Sequence, residues 1–561
     1  MVGLVVKSFS PESLGHGVIE SLMSLYNKRV KVEKTMIKTA LIIVGALLTS
    51  NIFAQIRETA KWAITRPEKQ ISYSEDIFGM ADASTKTFQL DKPTINRWGG
   101  NTTTRYNWKR GNAWNTGKDW FFENIDTGPN RWQRFITKSF RHDAKIIITV
   151  PIMGYVAKDT KSHGFSVKKY GNQQKTDQWR HDAGNGIKYN GDFVTGTSPF
   201  DTSTAISTSY VSEWVNEIEK LYPKAIEDGR IIFAMDNEPM LWHETHRDVH
   251  PNPTGYAEYI SKYKATAMAI KKVAPKALLA GPDVWGWIAY TKSAKDNESG
   301  RNLDKRQFGD EFIPWFLKQM KMHEESTGEK LLDYLTIHYY PQAKDVFSEN
   351  ASYAVAMDRV MAPRSLYDAS YKDPSWINER IMLIPRAKKW IAEYYPGTKL
   401  GITEYNWGAE ADMSGALALA DSLGIFATQK LDLACYWTWP PPKTKAELIF
   451  RLYRNVDGKY TKFPNKLLDT KLNSIDNNLT SVYAGENDTT ISLIAINKTT
   501  TKTNFKFLFN NIDLSSNIVY YIDDDSEDIE KHQQGCTYTN EQYMLKADGK
   551  SIYHIIFNKI K

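Results

Sequence analysis

Apolar β-like runs alternate with amphipathic helical stretches from residue 71 to residue 440. Such alternation implies parallel strands joined by right-handed helical crossovers, the pattern of an α/β protein. Eight strand–helix units close into a (β/α)8 TIM barrel, which is the fold we predict here. The predicted strands are 71–79, 93–99, 145–152, 231–237, 277–283, 331–340, 399–405 and 431–438, and the predicted helices are 131–142, 211–221, 256–274, 311–325, 376–395 and 414–429.

A second pattern begins after Pro442. Short alternating segments such as 490–496 (TISLIAI) and 517–522 (NIVYYI) are separated by turns rich in Asn, Asp and Thr. This spacing is typical of an antiparallel β-sandwich, which we predict over 450–561. Residues 56–70 could add a strand to that domain. The barrel, at 71–440, and the sandwich together account for most of the 561 residues.

The N-terminal region contains a segment with the form of a secretory signal peptide. Residues 36–54 read MIKTALIIVGALLTSNIFA, with a short basic start, an apolar run and a small residue at the end. The apolar run is shorter than the roughly 20 residues that a transmembrane helix needs. We therefore expect a secreted protein without a membrane span in its mature form. On this interpretation Met36 is the true start and 1–35 is an upstream over-read.

Composition excludes some classes of protein. The formal charge is +7, but the Lys and Arg residues are scattered, so nucleic-acid binding is not expected. Two cysteines are too few for a disulfide-dense scaffold. Aromatic residues reach 12%, including 17 Trp and 30 Tyr. Flat aromatic faces stack on sugar rings, although about half of these rings are expected in the core.

Two glutamates follow apolar runs at the ends of predicted strands. Glu238 stands in AMDNEP, after the fourth strand, and Glu404 stands in ITEYNW, on the seventh. All strands of a parallel barrel open on one face, so both side chains should reach the same mouth. Two carboxylates facing each other across a cleft are the catalytic groups of glycoside hydrolases. An acid on strand four and a nucleophile on strand seven is the arrangement of a large superfamily of retaining barrel glycosidases.

Further polar residues near these strand ends suit the same chemistry. An acid at Glu238 needs a raised pKa, and an ionised nucleophile at Glu404 needs positive charge and hydrogen-bond donors nearby. Arg97, ending strand two, can supply the charge. His338 and Tyr340 share one face of strand six because side chains alternate, so Tyr340 could donate to Glu404. The Asn237 amide could bind a sugar 2-hydroxyl.

Each of these residues also has a plainer interpretation. A glutamate after an apolar run is often a loop carboxylate, and Arg97 could form an ion pair at the bottom of the barrel. Two glutamates on the expected strands, with tryptophans nearby, favour catalysis. The candidate sugar-binding tryptophans are Trp98, Trp242, Trp407 and Trp437. Two long loops, 100–130 and 153–203, follow strand C-termini and should wall the active-site face.

Several long motifs make the chain resemble glycoside hydrolase family 44. They are NRWGGNTTTRYNW (96–108), DAGNG (182–186), AMDNEPMLWHETHRDVHP (234–251), GPDVWGW (281–287), IHYYPQ (337–342), ITEYNWG (402–408) and CYWTWP (435–440). The resemblance implies a TIM barrel with a β-sandwich and endo-acting cleavage of β-1,4-glucans or xyloglucan with retention. It implies Glu238 as acid/base and Glu404 as nucleophile. Related barrel glycosidases imply Trp437 as the floor of the −1 subsite.

The resemblance also allows a structural calcium ion, since structures of the family can carry calcium, but no EF-hand-like spacing is present and the sequence places no ion. The chemistry itself requires no cofactor. Loop 177–201 offers hard oxygen ligands, although a solvated polar loop explains these residues equally well. The aspartates of this loop are Asp177, Asp182, Asp192 and Asp201.

We therefore expect a secreted, monomeric endo-β-1,4-glucanase acting on cellulose derivatives, xyloglucan and mixed-linkage glucan by double displacement. An endo-xylanase or endo-mannanase with the same mechanism is the nearest alternative. A non-catalytic glycan-binding protein is the alternative from another class, and it would keep the aromatic residues but need neither glutamate. The sandwich could bind glycan, but support of the barrel is the simpler role.

Overall fold

A computed structural model gives the structure of residues 59–473, 478–533, 535–539 and 542–560. Apart from Thr59, these belong to the compact unit Ala60–Lys561. The predicted segments 1–35 and 36–54, and the first residues of 56–70, lie outside the described residues. In the part of the chain that the structure describes, every helix is too short or too polar for a transmembrane span.

Eight parallel strands close into a barrel, which confirms the predicted fold. Each strand pairs with the next along the chain, and the eighth returns to the first. The barrel strands are β3 (Gly79–Ala81), β4 (Ile95–Trp98), β7 (Lys145–Val150), β10 (Ile231–Met235), β11 (Leu278–Val284), β12 (Tyr334–Tyr339), β13 (Lys399–Tyr405) and β14 (Leu433–Tyr436). Glu238 therefore follows the fourth barrel strand, and Glu404 lies on the seventh.

Helices surround the barrel and occupy the loops at its mouth. They are α1 (Thr85–Leu90), α2 (Arg131–Arg141), α3 (Val167–Tyr170), α4 (Thr208–Leu221), α5 (Pro223–Glu227), α6 (Trp242–Thr245), α7 (Tyr256–Val273), α8 (Trp287–Thr291), α9 (Ala294–Ser299), α10 (Leu303–Phe308), α11 (Phe312–Thr327), α12 (Tyr353–Met361), α13 (Leu383–Tyr394), α14 (Met413–Thr428) and α15 (Lys445–Arg454). Short 3-10 helices lie at Glu75–Phe78, Thr103–Arg105, Gly117–Trp120, Pro199–Asp201, Pro239–Leu241 and Ala362–Leu366.

Side-chain alternation divides each barrel strand between two packed layers. Ile95, Ile147 and Ile232 form one cluster with apolar residues of other strands, which fills the barrel. Their neighbours Ile146 and Phe233 belong instead to the large cluster shared with the surrounding helices. Residues two positions further along these strands therefore also point toward the barrel axis. Those nearest the C-terminal ends of the strands reach the mouth of the barrel.

The two long loops at the mouth are organised around short two-stranded ribbons. In the first loop, β5 (Ala113–Asn115) pairs with β6 (Asn124–Asp126). In the second, β8 (Tyr155–Ala157) pairs with β9 (Ser203–Ala205). Both ribbons follow C-terminal strand ends, so they stand on the face that carries the glutamates.

The first barrel strand lies later in the chain than the prediction of 71–79. Residues Ile71–Ser72 form a separate strand, β2, that pairs with the second domain. The next residues turn into the 3-10 helix Glu75–Phe78, which Ser74 caps by accepting a hydrogen bond from the Asp76 N–H. Only Gly79–Ala81 remains for the barrel. The apolar residues of 71–79 thus serve three different elements.

The second domain is one curled, mostly antiparallel sheet of eleven strands. The strands are β1 (Ala60–Thr65), β2, β15 (Lys466–Leu472), β16 (Thr480–Glu486), β17 (Thr490–Asn497), β18 (Thr503–Phe509), β19 (Leu514–Ile522), β20 (Glu530–Lys531), β21 (Thr537–Thr539), β22 (Gln542–Ala547) and β23 (Ser551–Lys559). Their order in the sheet is β20-β19-β23-β17-β16-β15-β1-β18-β22-β21, with β2 paired beside β15. Strand β1 lies within residues 56–70 and pairs parallel to β18.

The boundary between the domains lies later than predicted. Helix α15 (Lys445–Arg454) spans the expected start of the sandwich at 450 and completes the eighth barrel unit. Its apolar side, which includes Leu448 and Phe450, is buried in the cluster that covers the barrel. The helical periodicity of this segment is hard to recognise in the sequence, because the helix begins shortly after the proline-rich stretch at 440–442.

The curled sheet packs firmly on the barrel. In β17, Leu493 belongs to the core of the sheet, whereas its neighbour Ile494 joins the barrel cluster. At the same interface the Lys498 ammonium lies 2.6 Å from Asp421 of α14, and both side chains are 3% exposed. The Tyr483 hydroxyl donates to the same carboxylate at 2.7 Å. These contacts fit a supporting role for the sheet.

Candidate active site

Glu238 stands at a sharp turn directly after β10. Its backbone is left-handed, with φ of 45°, and Pro239 begins the next 3-10 helix. The Glu238 N–H donates to the backbone carbonyl of Asp283 at 3.0 Å. Just before the turn, the buried Asp236 carboxylate accepts hydrogen bonds from the Thr104 hydroxyl and from the backbone N–H groups of Ile152 and Met153. The turn is thus fixed to three neighbouring barrel units.

Glu404 lies on β13, where two donors hold its carboxylate. The Arg97 Nη1 donates to Oε1 at 2.6 Å, and the Tyr340 hydroxyl donates to Oε2 at 2.8 Å. The carboxylate side chain is 6% exposed, and Arg97 is fully buried. A buried carboxyl group with these two donors is held in one orientation, as a nucleophile requires. Tyr339 points away and packs on Trp407, which leaves Tyr340 as the tyrosine at the site.

His338 lies between the two glutamates. Its Nδ1 is 2.9 Å from Oε1 of Glu238 and 3.5 Å from Oε2 of Glu404. Its Nε2 lies 3.4 Å from Nη2 of Arg97, which can only donate. Nε2 must therefore accept, and the ring proton resides on Nδ1, facing the glutamates. Burial lowers the pKa of His338, so the ring is neutral at neutral pH.

The two carboxylates are close enough to act on one sugar. An oxygen of Glu238 and an oxygen of Glu404 lie within 4.8 Å of each other. Retaining glycosidases place these groups about 5–5.5 Å apart, whereas inverting enzymes separate them by about 6.5–9.5 Å. Burial raises the pKa of Glu238 to about 8. The positive charge of Arg97 lowers this pKa, whereas the negative charges of Asp119 and Asp283 raise it further. Glu238 therefore keeps its proton at neutral pH, as a general acid must.

Arg97 connects the charged groups of the site. Besides Glu404, its guanidinium donates to Oδ1 of Asn237 at 2.8 Å and to Oδ2 of Asp283 at 3.4 Å. Asp283 also accepts a hydrogen bond from the Thr403 hydroxyl at 2.7 Å. Arg97 thus lies at the mouth of the barrel, and the alternative of an ion pair at the barrel bottom is wrong.

Asn237 and Trp437 border the space above the glutamates. The Asn237 Oδ1 accepts from Arg97 and from the Gly100 N–H, while its Nδ2 reaches Asn101 at 3.3 Å. This arrangement fixes the amide so that one N–H remains for a ligand. The half-buried Trp437 ring lies beside Arg97, at 5.9 Å from the guanidinium carbon. A side chain at position 100 would collide with that ring, since an added Cβ would lie 2.3 Å from it.

Three predicted sugar-binding tryptophans are buried in the core, and that prediction is wrong for them. Trp98 is 3% exposed and packs on Phe135 of α2, because Arg97 takes the inward face of β4 and the next residue must point outward. Trp242 is fully buried against Tyr259 of α7. Trp407 is 1% exposed and packs on Tyr339.

Two acidic residues near Glu238 were missed by the sequence reasoning. Asp283 is the last residue of the predicted strand 277–283, within the motif GPDVWGW, and its position after an apolar run is the available signal. Asp119 lies in the first long loop and accepts hydrogen bonds from the Asn101 amide at 3.1–3.2 Å. Asn101 in turn contacts Asn237, so that this loop is tied to the acid. No local pattern marks Asp119.

The aspartates of loop 177–201 are dispersed. Asp182, Asp192 and Asp201 have hydrogen-bond partners within their own loop region. Asp177 instead lies beside Glu123 of the first loop, and the two carboxyl groups share a buried hydrogen bond. Burial raises the pKa of Glu123 to about 7, with Arg180 opposing and Asp177 adding to the effect. Two such carboxylate oxygens fit a hard cation.

A closed parallel barrel with two glutamates facing each other at its mouth, at the separation seen here, defines a glycoside hydrolase. The model of glycoside hydrolase family 44 matches residues 113–343. The crystal structure of CelM2, described as a bifunctional glucanase-xylanase from a metagenome library, superposes with a TM-score of 0.85 at 32% identity, covering 90% of this chain and 100% of that one. The chain belongs to glycoside hydrolase family 44.

Two further relatives agree with this assignment. "Endoglucanase A" of Paenibacillus lautus is 29% identical over 562 residues, which cover 94% of this chain and 77% of that protein. The family 44 endoglucanase of Clostridium acetobutylium ATCC 824 gives a TM-score of 0.74 at 29% identity, covering 89% of this chain and 100% of that structure. The protein is therefore an endo-acting glycoside hydrolase.

Proposed function

We propose that this enzyme cleaves β-1,4-linked glucans by double displacement with retention of the anomeric configuration. The observation that carries the proposal is the separation of the two carboxylates, whose nearest oxygens lie within 4.8 Å. That separation leaves room for a sugar carbon between them but not for an additional water.

Glu238 is the proposed acid and base. With a pKa raised to about 8 it holds the proton that the leaving glycosidic oxygen needs. His338 Nδ1–H donates to its Oε1 and orients the carboxyl group without competing for the proton, since the ring is neutral. After the leaving group departs, the ionised Glu238 accepts a proton from the incoming water.

Glu404 is the proposed nucleophile. Its Oε1 faces the Arg97 guanidinium, and its Oε2 faces the Tyr340 hydroxyl. Attack on the anomeric carbon forms a bond from one carboxylate oxygen and breaks the bond to the leaving oxygen, which takes the proton of Glu238. Water then attacks the same carbon and releases Glu404.

Asn237 and Trp437 are proposed to hold the sugar in the −1 subsite. The free N–H of the fixed Asn237 amide suits the 2-hydroxyl, a contact that strengthens as the transition state forms. The Trp437 ring offers a face for the sugar C–H groups beside Arg97. In the long loops, Trp120 and Trp179 stand exposed and 5.6 Å apart, where further sugar units could stack.

The proposed substrates are soluble cellulose derivatives, xyloglucan and mixed-linkage glucan. Xylan is a second candidate, because CelM2 is described as a glucanase-xylanase. The test is to incubate the enzyme with carboxymethyl cellulose, xyloglucan, barley β-glucan, xylan and glucomannan, with Glu238→Gln as the matched inactive control. Oligosaccharide release from the glucans by wild type alone supports the proposal. Cleavage confined to xylan or mannan overturns the specificity and keeps the mechanism.

We also propose that the enzyme is secreted and acts as a monomer. The signal-peptide form of residues 36–54 supports secretion, which suits a polymeric substrate that cannot enter the cell. Mass spectrometry of the secreted protein would give its first residue, which the proposal places near Gln55. Light scattering of the same sample would give its oligomeric state.

We propose Glu123 and Asp177 as ligands of a structural calcium ion. Each contributes a buried oxygen that faces the other carboxyl group, and an ion held between them in place of the shared proton would join the two loops that border the cleft. The ion would neutralise two adjacent carboxylates and take no part in bond cleavage. A higher melting temperature in calcium than in EGTA, lost in Asp177→Asn, is the expected result.

A further inference from the structure

A cavity of about 170 Å³ lies between α6 and α9, next to the barrel mouth. Helix α6 follows the turn that carries Glu238, and α9 follows the fifth barrel strand. The cavity is lined by His243 and Glu244 of α6 and by Glu298 of α9. One ligand atom from each of these three side chains lies within 4.8 Å of the other two.

The imidazole of His243 is the unusual group in this cavity. Its side chain is only 10% exposed. Neither Nδ1 nor Nε2 has a hydrogen-bond partner among the described residues. Buried polar atoms in proteins are almost always paired, and an unpaired one points to a water or an ion that completes it. The ring therefore presents a nitrogen lone pair to a cavity that also holds two carboxylates.

The distances suit a small divalent cation. The Nε2 of His243 lies 3.7 Å from Oε1 of Glu298, which is longer than a hydrogen bond. Two ligands of tetrahedral zinc, with bonds of about 2.0–2.2 Å, are separated by roughly 3.4 Å. Lys118 donates to Oε2 of Glu244 at 2.8 Å, so that Oε1 is the oxygen of Glu244 available to an ion.

We propose that His243, Glu244 and Glu298 bind one Zn²⁺ ion, with water in the remaining position. Nitrogen and carboxylate ligands together favour zinc over calcium or magnesium, which prefer oxygen alone. The ion would tie the loop after the fourth strand to the loop after the fifth. The first of these loops begins with Glu238, and the second follows the strand that carries Asp283, so the ion would stiffen the support of the proposed acid.

The test uses the full chain, stripped with EDTA, dialysed and titrated with Zn²⁺ in a calorimeter. One equivalent is expected to bind, and the melting temperature should rise with zinc. Co²⁺ in place of Zn²⁺ should give visible absorption bands from a site that contains nitrogen. Glu298→Gln should weaken zinc binding by at least about tenfold, since it removes a ligand. Its side chain is 47% exposed, so the variant should fold.

His323→Gln is the matched control. His323 is 11% exposed and lies 3.9 Å from Glu329, so it is a similarly buried histidine beside a single carboxylate. Its replacement should leave zinc affinity unchanged. Failure of the wild type to bind micromolar zinc would overturn the proposal. Equal affinity and equal Co²⁺ spectra in wild type and Glu298→Gln would overturn it as well.

Discussion

The backbone carbonyl of Asp283 accepts the N–H of Glu238 at 3.0 Å, so the turn that follows the fourth barrel strand is attached to the fifth strand beside it. The Asp283 side chain meanwhile contacts Arg97 and Thr403. One buried aspartate therefore positions Glu238, the proposed acid, through its backbone, and Arg97, which pairs with the proposed nucleophile Glu404, through its carboxylate.

Asp283→Asn should shift the pH dependence of the enzyme. Removing a negative charge near Glu238 lowers the pKa of the acid, because that charge opposes its ionisation. The alkaline limb of kcat/KM should move to lower pH. Stability should fall by about 1–3 kcal/mol, since the buried Arg97 loses a charged partner. Rates across pH 5–10 and urea unfolding measure both effects.

Asp119→Asn is the comparison for that variant. Asp119 also raises the pKa of Glu238, but it lies at the surface and contacts neither Arg97 nor Thr403. It should move the alkaline limb in the same direction with little loss of stability. An unchanged limb in both variants would contradict the assignment of Glu238 as the acid.

Glu238→Gln should change the pH dependence of stability. The folded-state pKa of about 8 exceeds the ordinary value of 4.5, so the folded protein keeps a proton that the unfolded chain releases between these values. The stability that this proton provides is complete below about pH 4.5 and lost as pH rises through 8. The free energy of unfolding of the variant should therefore equal that of wild type near pH 4 and exceed it at pH 9 by about 5 kcal/mol. Thermal unfolding at a series of pH values measures the difference in stability between the variant and wild type. A difference that does not change with pH would refute the raised pKa of Glu238.

Glu404→Ala should abolish turnover, because no group remains to form the glycosyl-enzyme intermediate. Azide should restore cleavage of an activated aryl glycoside and give a glycosyl azide of inverted configuration, identified by NMR. Tyr340→Phe, which removes one hydrogen bond to Glu404, should retain measurable activity without azide. Normal turnover by Glu404→Ala would eliminate it as the nucleophile.

Trp437→Ala and Trp98→Ala should separate binding from stability. Trp437 is half-buried beside Arg97, so its loss should lower kcat/KM by roughly tenfold to a hundredfold with little change in melting temperature. Trp98 is 3% exposed in the core, so its loss should cost about 3–5 kcal/mol of stability. If Trp98→Ala instead lowered kcat/KM and left the stability unchanged, Trp98 would have to lie in the cleft.

Asp421→Ala should weaken the attachment of the curled sheet to the barrel. It leaves the buried Lys498 ammonium unpaired, at a cost of about 3–5 kcal/mol. Lys498→Met removes the partner charge, and the double variant should recover part of the loss. Differential scanning calorimetry would reveal the change, and full additivity of the two substitutions would argue against a direct pair.

The barrel could be predicted because most of its strands are continuous apolar runs with helices between them, as in 145–150 and 231–235. Glu238 and Glu404 followed from strand position alone. The first strand could not be placed, because β3 has three residues and the preceding apolar residues serve other elements. Trp98, Trp242 and Trp407 were misjudged because a sequence does not say which aromatic rings face solvent. Asp283 acts across three strands, and such contacts have no local signature.

Two adjacent residues of β4 point in opposite directions. Arg97 points inward and binds Glu404, whereas Trp98 points outward and packs on Phe135. A displacement of this strand by one residue would exchange the guanidinium and the indole. The barrel would then hold a bulky ring at its axis and bury an unpaired cation among its helices. Misfolded forms of this kind would be eliminated by their own instability, so any molecule that completes its barrel also carries a correctly placed arginine. The stability of the folded barrel and the correct placement of Arg97 thus depend on the same alternation of two side chains.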